Sequence, residues 1–99
     1  MKRDNHIILF DFYGSLLTKR QIDIFTLYYM EDYSLAEVGE ELGITPQGVQ
    51  DILKRSVKAL EKYESKLGFV QKFSKIKMLL DKINNESDID IIKEELYGV

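Results

Sequence analysis

Cysteine is absent from the 99 residues. That excludes a disulfide framework and any thiolate metal site, and it fits a reducing, cytoplasmic setting. Histidine occurs once, as His6, with no carboxylate at helical ligand spacing around it. A metal role is therefore not expected, and His6 reads as a surface residue near the terminus. It is also too isolated to form a triad with a serine and an aspartate. Gly39, Gly43 and Gly48 are not followed by the Lys-Ser/Thr pair of a phosphate-binding loop. No apolar run approaches the length of a membrane span. The basic start, Met1-Lys2-Arg3-Asp4-Asn5, leads into an apolar stretch that Asp11 interrupts, and no small-residue cleavage site follows, so no signal peptide is expected. Proline occurs once, as Pro46, and no segment is repetitive or low in complexity. These absences point away from an enzyme, a cofactor and the membrane, and toward a soluble protein.

The composition, 44% hydrophobic and 31% charged, suits one globular domain over residues 1–99. A chain of this size buries roughly two-thirds of its unfolded surface, enough for one core with little reserve. The net charge of −3 is unevenly spread. Glu31, Asp32, Glu37, Glu40 and Glu41 fall between Glu31 and Gly43, where there is no Lys or Arg. They read as a solvated helix face, because glutamate is a good helix former and they spread round the helix. From Ile44 to Leu67, Lys54, Arg55, Lys58, Lys62 and Lys66 outweigh Asp51, Glu61 and Glu64.

The apolar spacing is helical almost throughout, and no stretch alternates as a strand of a hairpin would. The expected fold is all-α: a helical core over residues 5–67 and a C-terminal helical extension over 68–99. The first helix is expected from about Asn5 to Gly14, with Leu9, Phe12, Tyr13 and Leu16 on one face. Thr18-x-x-Gln21 is a capping box that opens a second helix apolar on most sides. Ser34-x-x-Glu37 is another, opening a third helix that Gly43 ends in a left-handed conformation. Thr45 caps a fourth helix with Pro46 in its first turn, where a missing N–H costs nothing. Val49, Leu53, Val57, Leu60 and Leu67 give that helix a long stripe. A fifth helix follows Gly68, with Phe69, Phe73, Ile76, Leu80 and Ile83 on one face, and Asn84-Asn85 breaks it. Ser87 or Asp88 caps a last helix carrying Ile89, Ile92 and Leu96.

Residues 34–55 carry the most specific signal. Two short helices crossing steeply need a left-handed residue at the turn, and Gly43 supplies it. They need a small residue at the crossing, and Gly39 lies four before the turn. Their inner faces need apolar residues, and Val38, Leu42, Ile44, Val49 and Ile52 occupy those places. The pattern is that of a helix-turn-helix. If it docks on duplex DNA, the second helix enters the major groove by its N-terminal end. Thr45, Gln47, Gln50, Asp51 and Lys54 then face outward, glutamine matching adenine and lysine matching guanine acceptors. Arg55, Lys58 and Lys62 meet phosphates. The same geometry also serves as a packing unit in proteins that never touch DNA, and the acidic Glu37, Glu40 and Glu41 have the wrong sign for a phosphate backbone.

Aromatic residues crowd the first part of the chain. They are too many for one three-helix interior. Either Phe12, Tyr13, Phe25, Tyr28 and Tyr29 line the interface of a homodimer, or the C-terminal helices fold back to cover them.

From Leu17 to about Tyr63 the chain resembles region four of bacterial sigma factors. The likeness lies in Leu17-Thr18-Lys19-Arg20-Gln21, Tyr28-Tyr29, Ser34-Leu35-Ala36-Glu37-Val38 and Gly43-Ile44-Thr45. It more closely resembles the YlxM family of small bacterial helix-turn-helix proteins. Leu9-Phe10-Asp11-Phe12-Tyr13-Gly14-Ser15-Leu16-Leu17-Thr18 is similar to that family's opening signature. Leu27-Tyr28-Tyr29, Asp32-Tyr33-Ser34-Leu35 and Tyr63-Glu64-Ser65-Lys66-Leu67 continue it. The resemblance implies a dimeric regulatory protein of the signal recognition particle pathway. Two readings follow: a DNA-binding regulator, or an adaptor that contacts the targeting GTPase or its RNA without binding DNA. Gln47, Val49, Asp51, Lys54 and Arg55 match the family's recognition helix. Pro46, Gly48 and Gln50 depart from it, standing where arginine, alanine and tyrosine are common.

Overall fold

The computed structural model describes residues 2–83 and 86–98, with Lys2 described by its backbone alone. Among the described residues there are six α-helices and no strand. They are α1 (Lys2–Tyr13), α2 (Lys19–Phe25), α3 (Leu35–Leu42), α4 (Pro46–Leu67), α5 (Phe69–Leu80) and α6 (Glu86–Tyr97). The chain divides into two compact units, Met1–Lys66 and Leu67–Val99.

Local chemistry sets the boundaries of the first unit. A 3₁₀ turn, Gly14–Leu16, ends α1. Thr18 caps α2: the Gln21 N–H donates to Thr18 Oγ1 at 3.2 Å, and the Thr18 N–H donates to Gln21 Oε1 at 3.0 Å. Ser34 and Glu37 repeat the arrangement at α3, at 3.1 and 2.8 Å. Each box satisfies two backbone donors that the first turn of a helix leaves over. Gly43 ends α3 with φ +72°. The Gly48 N–H donates to Thr45 Oγ1 at 3.0 Å, which caps α4 behind Pro46.

Two features depart from the periodicity reading at the start of the chain. Helix α1 begins at Lys2 rather than near Asn5. Leu16 lies in the 3₁₀ turn and is exposed. The second helix also changes pitch. After Phe25 it becomes a π-helical turn, Thr26–Met30, closed by the Glu31 N–H donating to the Thr26 carbonyl at 3.1 Å. Such a turn holds one residue more than an α-turn and commonly marks functional sites.

Ile24, Val38, Val49 and Leu53 form the buried cluster beneath the helix-turn-helix, with Leu27, Leu42, Ile44 and Ile52 packed around it. Along α4 the buried positions are Val49, Leu53, Ser56 and Leu60, an i, i+4, i+7, i+11 stripe. The fourth helix thus corrects the hydropathy-based face. Ser56, not Val57, turns inward, and its hydroxyl donates to the Ile52 carbonyl at 2.8 Å. Leu67 is exposed.

The aromatic surplus is taken up largely by α1. Phe10 stacks on Phe25 with centroids 4.3 Å apart and planes at 7°. Phe25 lies 4.5 Å from Tyr29. The Tyr13 hydroxyl donates to Glu64 Oε1 at 2.5 Å, tying α1 to the second half of α4. Tyr13 and Phe25 are 1% and 0% exposed. Both are therefore packed within the unit. Phe12, Tyr28 and Tyr29 keep part of their surface.

In the second unit Ile76 on α5 and Ile92 on α6 are buried, and Lys75 Nζ pairs with Glu95 Oε1 at 3.1 Å. The expected apolar faces are only partly used. Phe69, Phe73, Leu80 and Ile83 along α5 and beyond it, and Ile89 and Leu96 on α6, are exposed. Helix α6 begins at Glu86, ahead of the expected caps Ser87 and Asp88. The expected break at Asn84-Asn85 lies outside the described residues.

Candidate nucleic-acid interface

The crossing of α3 and α4 fixes the site. A Cβ placed on Gly39 would lie 2.5 Å from the Ile44 carbonyl oxygen and 3.4 Å from Pro46 N. No side chain fits there, so the start of α4 rides directly on the backbone of α3. The Ile44 N–H donates to the Gly39 carbonyl at 2.9 Å and locks the approach. Three residues, Gly43 to Thr45, separate the two helices.

This arrangement presents the N-terminal half of α4 to solvent. Thr45, Gln47, Asp51, Lys54, Arg55 and Lys58 are exposed, and Gln50 is half-buried. The Thr45 hydroxyl accepts the capping bond described above, so it has a structural task as well. Lys54, Arg55 and Lys58 have no ion-pair partner among the described residues. The acidic residues nearby are partly engaged. Glu37 closes the cap of α3, and Asp32 Oδ1 pairs with Arg3 Nη2 at 2.6 Å. Glu40 and Glu41 remain exposed.

The α4 face is not a bare ridge. Gln50, Asp51, Lys54, Arg55 and Lys58 also line an open cleft of about 630 Å³. Leu35, Leu53 and Val57 give the cleft apolar walls. Tyr28 and Tyr29, from the π-helical turn, and His6, from α1, complete it. Thr45 and Gln47 lie outside it. His6 is half-buried rather than a free surface residue. Its Nδ1 lies 2.8 Å from the Tyr29 hydroxyl, and the two rings meet edge-on at 5.6 Å. The signal was present in the sequence: His6, Leu9, Phe10 and Tyr13 follow the i, i+3, i+4, i+7 spacing of one helix face. Tyr28 stands edge-on to Tyr29 at 5.0 Å. Burial raises the Tyr29 pKa, the neighbouring Tyr28 adds to the rise, and Arg3 opposes it.

Two helices capped, turned and crossed in this way define a protein of the helix-turn-helix class. The chain belongs to the family described as "Putative helix-turn-helix protein, YlxM / p13 like", whose model matches residues 1–97. It is 51% identical over 87 residues to a UPF0122 protein of Thermoanaerobacter sp., covering 88% of this chain and 73% of that one. It is 43% identical over 91 residues to a UPF0122 protein of Halalkalibacterium halodurans, covering 92% and 84%. With a UPF0122 protein of Acetivibrio thermocellus it shares 48% identity over 85 residues, covering 85% and 73%. No helix among the described residues is long and apolar enough to cross a membrane. No group of three or more His, Cys, Asp or Glu residues able to hold a metal ion occurs among them.

Proposed function

We propose that this protein is a cytoplasmic, non-enzymatic regulator that binds duplex DNA through α3 and α4 as a homodimer. The observation that carries this reading is the crossing at Gly39, beyond which α4 exposes Lys54, Arg55 and Lys58, three cations with no ion-pair partner among the described residues. In this reading α4 enters the major groove by its N-terminal end. Thr45, Gln47, Gln50, Asp51 and Lys54 face base edges, and Arg55 and Lys58 meet phosphates. Phe12, Tyr28 and Tyr29 supply the aromatic part of the dimer contact. The test is fluorescence anisotropy of a labelled duplex titrated at several salt concentrations. The logarithm of the affinity should fall linearly with log salt, by about 0.9 for each phosphate contacted. Replacing Lys54 and Arg55 by alanine should make the line shallower. Absence of binding to duplexes of any sequence would overturn the reading.

A second reading has its own observation. Glu40 and Glu41 are exposed on α3, where a DNA-crossing helix does better with cations, and the chain carries −3 overall. That surface suits a basic partner, such as a GTPase of the signal recognition particle pathway. An adaptor of this kind would bind the GTPase through the acidic surface of α3, or its RNA through the cations of α4, and leave duplex DNA unbound.

A further inference from the structure

We propose that the cleft between α1, the π-helical turn and α4 is a binding site for a free mononucleotide, and that its occupancy competes with DNA for α4. The competition rests on the DNA-binding reading above; the site itself does not. The cleft's volume, about 630 Å³, falls within the range of small-molecule pockets.

Its chemistry has two parts. Leu35, Leu53, Val57 and the two tyrosines make most of the wall apolar, and the half-buried Tyr28 offers a ring against which a flat heterocycle can stack. Lys54, Arg55 and Lys58 make the rest cationic, against the single carboxylate of Asp51. Lys54 and Lys58 are one helical turn apart, with Arg55 beside Lys54, so the three charges crowd one stretch of α4. A phosphate group, with several acceptor oxygens and up to two negative charges, uses such a cluster better than a carboxylate does. Gln50 supplies an amide that both donates and accepts at a base edge. A ligand that satisfies both parts carries a flat aromatic ring and a phosphate within one small molecule.

The cleft and the proposed DNA face share Gln50, Asp51, Lys54, Arg55 and Lys58. A phosphate seated on those cations removes them from the DNA backbone. Regulation of DNA binding by a nucleotide is then a consequence of shared residues and needs no change of shape.

The experiment is NMR titration of the isotopically labelled full chain with adenosine 5′-monophosphate, with adenosine, and with inorganic phosphate. The monophosphate should saturate and shift the amides of Tyr28, Gln50, Lys54 and Lys58, binding at least about tenfold more tightly than either fragment alone. Lys58→Gln should weaken it several-fold, and so should Tyr28→Leu. The variants' unperturbed spectra elsewhere would report an intact fold. No shift at millimolar monophosphate would overturn the site, as would equal binding of inorganic phosphate, or binding only when the base is part of a single strand. Saturating monophosphate should also release a bound duplex, whereas adenosine at the same concentration, which brings no phosphate to the shared cations, should not. Binding of the monophosphate without effect on a bound duplex would overturn the competition and leave the site standing. If no duplex binds at all, the reading of the previous subsection fails and the NMR result still decides the site.

Discussion

At Gly39 a methyl group has nowhere to go, because the nearest atom is the Ile44 backbone carbonyl and not the flexible end of a side chain. Alanine there gains about 1 kcal/mol of helix propensity. It pays instead in overpacking, which costs typically about 1–3 kcal/mol and more when backbone must shift. Gly39→Ala should therefore lower unfolding stability by up to about 2 kcal/mol in urea titrations, the net of those two effects, and by more where the Ile44 backbone must shift. Gly43→Ala should also destabilise, for a different reason. Nothing crowds its Cβ, but φ is +72°, and the left-handed backbone costs a side chain roughly 1–2 kcal/mol. Tyr29 gives a pH signature. Its pKa in the fold is raised, chiefly by burial. The fold thus favours the neutral phenol. That contribution is fully present below the unfolded value of about 10 and is lost as pH rises through the raised value. Wild-type stability should fall through this alkaline window, and Tyr29→Phe should fall less steeply. Both glycines, the caps and the direction of most core residues were legible in the sequence, because each rests on local rules of backbone and spacing. The partnership of His6 with Tyr29 was not, although the helical spacing held it, because a lone histidine near a terminus has a plainer default reading.

Among the elements, α4 shows where hydropathy misleads. A scale prefers Val57 to Ser56 as a core residue. The helix period decides otherwise, since Val49, Leu53 and Leu60 fix a stripe on which position 56 falls. Serine is tolerated there because its hydroxyl bonds the Ile52 carbonyl within the helix. Ser56→Ala should accordingly cost little, while a larger residue at this fully buried position should cost about 1–3 kcal/mol by overpacking. Val57, displaced from the core, becomes a wall of the cleft. The π-helical turn was equally invisible to periodicity, because a single added residue alters phase without altering composition. It is nevertheless what carries Tyr28 and Tyr29 to the cleft. At α3 the prediction is simpler. Ser34→Ala removes the side-chain acceptor of the capping box, and thermal or urea unfolding should register a loss of about 1 kcal/mol.

For the whole molecule, charge sets the terms. A chain at −3 is repelled by a polyanion, and attraction must come from a few cations on one face. With roughly 2–4 phosphate contacts per protomer, log affinity should fall with log salt at a slope of only about −2 to −4, and binding by one protomer should be weak at physiological salt. A dimer doubles the contacts and the slope. If the dimer is the binding species, duplex affinity should depend on protein concentration in parallel with self-association measured by sedimentation. Two recognition helices also need half-sites about 34–36 Å apart, one turn of duplex. Duplexes carrying a selected half-site twice should then bind best at a centre-to-centre spacing of about 10–10.5 base pairs, and inserting about five more should abolish the gain. A slope that stays at the monomer's value, indifferent to spacing, would assign the binding to single protomers and leave Phe12, Tyr28 and Tyr29 without a role at an interface. The spacing series separates these outcomes because a rigid two-fold pair must respect the helical repeat of the duplex, whereas a lone protomer has nothing with which to measure it.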